Sequence, residues 1–389
     1  MKRFATLLLP LLLAACSTPP ALVNPAPEDI FADALFAPPS EPVGAKDLFT
    51  VSPAMRAYVR GAHFASHMRT KGAEQGLVDA LYSKGELRLE YDSTLTRTAA
   101  ATFDAKVGNC LSLVIMTAAF AKELNMQVHY QNVVVDETWS RNAGLYFASS
   151  HVNLTIGRRT NDNLRGYDPQ RALTIDFLTP DEAAKYRTLA VDENTIVAMY
   201  LNNRAAEALA TGRQNDAYWW AREAIKFNPK YVTAFNTLGV IYQRQGEFAK
   251  AERVFRVALQ RDPDSLIIMN NLVPVLAAVG KHEESRALAS VIAKVEPHPP
   301  FHFYDLGLKA VQAGDFVQAK KMFEREVARA PYYHEFHFWL AVAHHRLGEA
   351  APAREQMALA AQTSTTLSAR ANYNMKLAAL KAGGNRQLR

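Results

Sequence analysis

The sequence predicts an α+β unit, with helices packed on an antiparallel sheet, followed by an all-α solenoid of helical repeats. Two observations carry this expectation. Between residues 53 and 178 the apolar pattern changes from helical spacing to short β-branched runs. Beyond residue 193, four prolines (Pro229, Pro263, Pro297 and Pro331) stand 34 residues apart, and other positions recur in phase with them. At 389 residues the chain also exceeds the usual size of a single core.

Taken in chain order, residues 1–15 join a basic start (Lys2, Arg3) to an apolar run broken by Thr6 and Pro10 and then to small residues, the form of a secretory signal. Leu13, Ala14, Ala15 and Cys16 resemble the lipobox of bacterial lipoproteins. The resemblance implies that Cys16 is lipidated and anchors the chain to the cell envelope. Ser17 directly after it implies the outer membrane, facing the periplasm. Residues 16–46, with seven prolines between Ser17 and Lys46, read as a Pro-rich tether. No other stretch reaches the roughly 20 apolar residues needed to cross a bilayer. The formal charge of +6 falls to +4 once Lys2 and Arg3 are removed, since residues 1–15 contain no acid. No basic block with interleaved aromatic residues is present, so nucleic acid is not expected as a partner.

Residues 47–193 form the expected α+β unit. PAMRAYVRGAHFASHM and GAEQGLVDALYSK have helical spacing, and Asn109 to Leu124 is apolar almost all round, which predicts a buried helix. VHYQNVVVD, HVNLTIG and LTIDFL follow as strands. Only two cysteines occur, so a lipidated Cys16 leaves Cys110 without a partner in the chain. Asn109 is a good N-cap, and Gly108 allows a tight entry. Cys110 then occupies a first helical turn, where unpaired N–H groups and the helix dipole support a thiolate and an oxyanion. His151 opens a strand in which Val152, Leu154 and Ile156 form the apolar set, which leaves His151 on the other face. Asp176 has the same phase within LTIDFL. A hairpin around RRTNDNLRGYDPQRA brings it to His151, with Asp168 as the alternative orienting carboxylate.

The order G-N-C on a buried helix, H-V-N-L on a strand and Asp on a further strand resembles the transglutaminase-like superfamily, a papain-related fold. TLTRTAAATFDAKVGNCLSL resembles in particular the envelope members joined to tetratricopeptide repeats. The resemblance spans about Leu87 to Leu178. It implies a transglutaminase-like domain in which Cys110 is the nucleophile, His151 the base and acid, and Asp176 or Asp168 the orienter. The implied reaction is acyl transfer or amide hydrolysis without a cofactor. Many members carry a Trp two residues after the His, where this chain has Asn153. Asn153, Asn109 and Trp139, the last in a loop expected to overhang the site, are the candidates to line the substrate cleft. Some members of the superfamily have lost activity, so an inactive scaffold is the alternative reading.

Residues 194–389 contain the repeats. From Val232 to Ser265, the positions Phe235, Leu238, Gly239, Tyr242, Ala251, Phe255, Ala258 and Pro263 resemble the tetratricopeptide pattern. By phase the region holds about five units in all, one of them before Val232, and Leu367 to Ala382 reads as a capping helix. The resemblance implies a protein or peptide partner. His63 and His67, four apart, have no third ligand in view, so no metal is expected. His334, His337, His344 and His345, set among aromatic residues, could line a peptide groove, although repeat packing also accounts for them. Trp219 and Trp220 are expected in interhelix packing. No phosphate loop, dinucleotide motif or CxxC is present, which leaves no sign of a nucleotide cofactor.

Overall fold

A computed structural model of the chain describes residues 25–82, 87, 89–142, 145–159, 172–176 and 187–382, with side chains described for all of these except 134–142, 145–150 and 158–159. The signal, the lipidation candidate Cys16 and Asp168 lie outside the described residues.

Three helices open the α+β part: α1 (Pro53–Arg60), α2 (Ala62–Lys71) and α3 (Ala73–Tyr82). Ser52 caps α1 by accepting from the Met55 N–H, with Pro53 in the first turn. The spacing predicts one helix through residues 53–68, but Gly61 turns to ψ 148° and divides it. A two-residue strand, β1 (Glu90–Tyr91), runs parallel to β2 (Val107–Gly108), with α4 (Ala99–Ala105) between them. Next comes α5 (Cys110–Glu123), whose residues Leu111 to Ala121 are all buried. It packs on a sheet of order β5-β4-β3-β6, made of β3 (Met126–Asn142), β4 (Leu145–Arg159), β5 (Leu173–Ile175) and β6 (Arg187–Val191), every pair antiparallel. Two features depart from expectation. β6 joins the sheet edge, and β3 and β4 run on past an irregularity between Val133 and Thr138. Trp139 is therefore a strand residue paired with Ala148, not part of an overhanging loop. The extra residues on the β3 side of that irregularity let the ladder resume after a bulge instead of ending.

Ten helices then form five antiparallel pairs: α6 (Glu193–Ala210) with α7 (Gln214–Phe227), α8 (Val232–Gln245) with α9 (Phe248–Arg261), α10 (Leu266–Ala278) with α11 (His282–Val295), α12 (His302–Gln312) with α13 (Phe316–Arg329), and α14 (His334–Arg346) with α15 (Ala350–Thr363). Helix α16 (Leu367–Lys381) packs on α15. The small residue of each unit has a direct cause. A Cβ on Gly239 would stand 2.5 Å from the Phe255 ring, and one on Gly307 would stand 2.5 Å from Phe323. The two helices of a pair touch there, so nothing larger fits. Gly212, Gly246, Gly280, Gly314 and Gly348 also recur every 34 residues, each at positive φ where the first helix of a pair ends.

The two parts are not separate bodies. One hydrophobic core runs from Ile30 through Leu113, Ile156 and Tyr200 to Leu276. Helix α6 packs on α5 and β3, while α8 and α10 pack against β4. At the far end, the Ser93 N–H donates to the Thr365 carbonyl at 2.8 Å, and the Leu367 N–H donates to Asp92 Oδ2 at 3.0 Å. The solenoid thus holds the α+β part near its start and again near its finish.

The described portion of the expected tether, from Pro25 onward, is also docked. Phe36 stacks on Tyr218 with ring centroids 4.0 Å apart, and Ile30 is fully buried. The Tyr218 hydroxyl donates to Asp33 and accepts from the Ala32 N–H, while the Tyr242 hydroxyl donates to the Ile30 carbonyl. Trp219 Nε1 donates to the Ala37 carbonyl and Trp220 Nε1 to Glu41, so these two rings serve this segment as well as their own helix pair. The prolines stop the segment from folding on itself, and its apolar and backbone groups are satisfied by the repeats instead.

Candidate active site

The start of α5 is fixed by a small set of hydrogen bonds. Asn109 Oδ1 accepts from the Ser112 N–H at 2.9 Å and from Ser112 Oγ at 2.8 Å. Asn109 Nδ2 donates to Thr96 Oγ1 at 2.8 Å. Thr96 in turn receives Asn203 Nδ2 and donates its N–H to Glu207, so the cap is tied to α6. Asn109, a cleft candidate in the sequence, is 7% exposed and serves as the cap of α5. A Cβ at Gly108 would lie 2.8 Å from Ser112 Cβ and 3.1 Å from Thr102 Cγ2, so the approach to the helix requires glycine. Cys110, a free thiol, stands partly exposed as the first residue of the helix.

His151 lies on β4 opposite Val133. The register Leu154↔Ile175 between β4 and β5 brings the next residue, Asp176, alongside Asn153 and within reach of His151. Asp176 Oδ1 is 2.6 Å from His151 Nε2, and Asp176 Oδ2 accepts from Asn153 Nδ2 at 2.7 Å. The His and Asp side chains are only 12% and 13% exposed. Cys110 is the other group that acts on the His151 ring. Burial works against charge on this ring, but the bonds to Asp176 and Cys110 outweigh it and raise the imidazole to about 9. A thiol, an imidazole and a carboxylate are thus grouped at the head of α5 and the edge of the sheet.

Asn153 is 3% exposed, and its Oδ1 has no hydrogen-bond partner among the described residues. Its Nδ2 clamps the second carboxylate oxygen of Asp176. Thr155 is also buried and bonds across the strands to Thr174 at 2.9 Å. Helices α3, α5, α8 and α10 all pack near β4.

The sequence reading missed Tyr91. Its pairing opposite Gly108 carries it to the head of α5, in the neighbourhood of Cys110. Burial, with the neighbouring Cys110, pushes the phenol up from its ordinary value, so it remains protonated. Two-residue strands leave no alternation to detect.

The remaining candidates have packing partners. His337 Nδ1 meets Gln356 and its Nε2 meets the Pro331 carbonyl, His344 meets Glu349, and His334 meets the Tyr373 hydroxyl of α16 at 2.9 Å. His63 and His67 lie edge to face on α2 with ring centroids 5.0 Å apart. No group of three potential metal-ligating side chains occurs among the described residues. No helix among them is long and apolar enough to cross a membrane.

Comparison with known proteins reaches the repeats. Tetratricopeptide repeat models match residues 232–265 and 304–368. A TPR repeat-containing protein of Pseudomonas aeruginosa is 26% identical over 153 residues, which is 39% of this chain and 26% of that protein. The N-alpha-acetyltransferase 25, NatB auxiliary subunit of Rattus norvegicus is 23% identical over 116 residues, covering 29% of this chain and 12% of its own length. The chain thus spans about a quarter or less of these curated relatives. Among solved structures, pilF of Pseudomonas aeruginosa is 22% identical with a TM-score of 0.29, covering 51% of this chain and 89% of its own. A thermophilic TPR protein of Thermus thermophilus is 18% identical with a TM-score of 0.29, covering 48% and 99%. The second part of the chain thus contains tetratricopeptide repeats, at residues 232–265 and 304–368.

Proposed function

We propose that this protein performs cysteine-dependent acyl chemistry on a peptide or carboxamide, as its likeness to the transglutaminase-like superfamily implies, with the repeats engaging a protein partner. The observation that supports this most is the single imidazole shared between Asp176 and Cys110 at the head of a buried helix. In the reaction the thiolate of Cys110 attacks the carbonyl carbon, and the π pair moves to oxygen. Collapse breaks the C–N bond as protonated His151 gives its proton to the leaving amine, leaving a thioester. Water or a second amine, deprotonated by His151, then attacks the thioester and restores the thiol. Asp176 orients the ring and stabilises the imidazolium throughout. The lipobox-like Leu13 to Cys16 motivates placement in the bacterial envelope, anchored through lipidated Cys16. Incorporation of labelled fatty acid that persists in Cys16→Ala would remove that placement.

The test of the chemistry is thiol reactivity. Iodoacetamide should alkylate Cys110 faster than a model thiol at pH 7, and His151→Ala should bring the rate down to that of the model. A wild-type rate no higher than the model sinks the enzymatic reading. The alternative, an inactive adaptor, is motivated by the matches to repeat proteins and to a subunit whose name is auxiliary. It predicts that Cys110→Ala leaves partner binding and cellular role unchanged.

A further inference from the structure

We infer that the repeats carry a lysine-binding pocket at the junction of the third and fourth helix pairs, where Glu296 receives the ammonium of a lysine side chain presented by a protein partner. This assignment rests on the reading that the repeats engage such a partner, and it is independent of the chemistry at Cys110. The junction is set by the run EPHPPF, residues 296–301, whose three prolines end α11 and keep the linker from adding helical turns. The apolar packing of the repeats is divided there: among the described residues one cluster runs to Leu276 and the next begins at Phe301. Phe301 closes the linker at φ 65°, in the left-handed region that a bulky residue seldom occupies, and is 3% exposed. Its ring packs edge to face on Tyr333 and Phe336, with centroids 5.3 and 5.4 Å apart. These three rings line a cavity of about 290 Å³ whose charged residues are Glu296, Glu326 and Arg329.

Glu326 is committed to the fold: it is 2% exposed, and its Oε2 accepts from the Phe303 and Tyr304 N–H groups at 2.8 and 3.1 Å, capping α12. Arg329 donates to the His298 carbonyl at 2.8 Å and to Glu296 Oε1 at 3.3 Å, with Glu326 Oε1 at 3.5 Å. The other oxygen of Glu296, Oε2, is buried with no hydrogen-bond partner among the described residues. Two carboxylates thus face one guanidinium, and the oxygen that lacks a donor belongs to the carboxylate not used as a cap. Burial, opposed by Arg329 and helped by Glu326, raises Glu296 above its ordinary value, so an added cation would stabilise the ionised form. A single open oxygen also selects among cations. Arginine makes its strongest contact with both oxygens of a carboxylate, whereas an ammonium is a point charge that one oxygen can satisfy. Aromatic faces attract the same charge, and the four-carbon stem of a lysine can lie along them. The volume suits one side chain and falls just below the roughly 300 Å³ at which pockets for drug-sized ligands begin.

Saturation-transfer NMR on the full chain, with the peptide acetyl-Gly-Ser-Gly-Lys-Gly-Ser-Gly-amide as probe, tests the pocket. Replacing the probe's lysine by norleucine, which keeps the stem and lacks the ammonium, is expected to weaken binding by about tenfold or more, the scale of a hydrogen bond to a charged group. Glu296→Gln is expected to cause a similar loss. Ala330→Leu, which fills the cavity without altering its charge, guards against a folding defect in the Gln variant and should weaken binding as well. Glu283→Gln, on the exposed first turn of α11, should leave binding unchanged. Equal affinity for the lysine and norleucine probes overturns the pocket, as does a loss in Glu283→Gln as large as in Glu296→Gln, which would reduce recognition to general charge attraction. n-Butylamine bound as tightly as the lysine peptide overturns a protein side chain as the occupant. Proteins crosslinked to the repeats in cells, recovered equally from wild type and Glu296→Gln, would overturn the pocket and leave the wider partner reading standing; recovery of none from either removes both.

Discussion

The α+β part and the repeats solve the same problem, burying apolar faces, with contacts of different reach. In the solenoid each critical contact closes within one 34-residue unit: Gly239 meets Phe255, Gly307 meets Phe323, and a glycine at positive φ ends each first helix. Around Cys110 the contacts are distant in sequence. Tyr91, Asn109 and Cys110 come from one end of the unit, His151 and Asp176 come from the sheet, and Thr96 connects the cap to α6. Local contacts repeat and tolerate change additively, whereas a site assembled from several elements responds as a unit.

That contrast can be broken at either end, and the largest effect is expected at the site. Asp176→Asn should slow acylation of Cys110 by about 10⁴-fold, as loss of the orienting carboxylate does in an analogous triad. A loss under tenfold would mean that the chain of contacts through His151 does not work as a triad. In the solenoid, Phe255→Ala should cost about 3–5 kcal/mol in denaturant unfolding, since a fully buried ring is removed. Gly239→Ala should cost about 1–3 kcal/mol by forcing the same ring aside. Both should leave iodoacetamide reactivity intact at temperatures where the protein remains folded. A solenoid variant that silenced Cys110 while folded would show the two parts to be coupled more tightly than their separate contacts imply.

The pH dependence tests the same contacts through stability. His151 is raised from an ordinary 6.5 to about 9, so the folded state binds its proton more tightly than the unfolded chain does. The stability this contributes is fully present below pH 6.5 and is lost as pH rises through about 9. Denaturation midpoints measured across that window should fall in wild type more than in His151→Gln. Equal slopes would mean that the Asp176 and Cys110 contacts do not hold the charged ring.

Much of the solenoid could be read directly from the chain, because the prolines, glycines and apolar positions of each unit lie within 34 residues of their partners. The phase of His151 and Asp176 was legible for the same local reason: alternation on a strand assigns a face before the sheet is known. Tyr91 was not, because a two-residue strand has no period. Asn109 looked like a cleft residue, but its second hydrogen bond, to Thr96, depends on a loop that the pattern does not describe. The Pro-rich start read as a spacer because its composition lacks helical periodicity. Its partners Tyr218, Trp219 and Tyr242 stand about 180 to 210 residues away, and no local pattern encodes them.

By itself the sequence determined the repeat period, the helix and strand types, and a cysteine at the head of a buried helix, because propensity, capping and periodicity act over a few residues. Only the tertiary structure decided that the N-terminal segment is docked on the repeats and that the two parts share one core. It alone brought Asp176 and Cys110 to the same imidazole with Tyr91 beside the thiol. Strand register and the packing of solenoid helices against β4 set those distances, and both are properties of the whole folded chain.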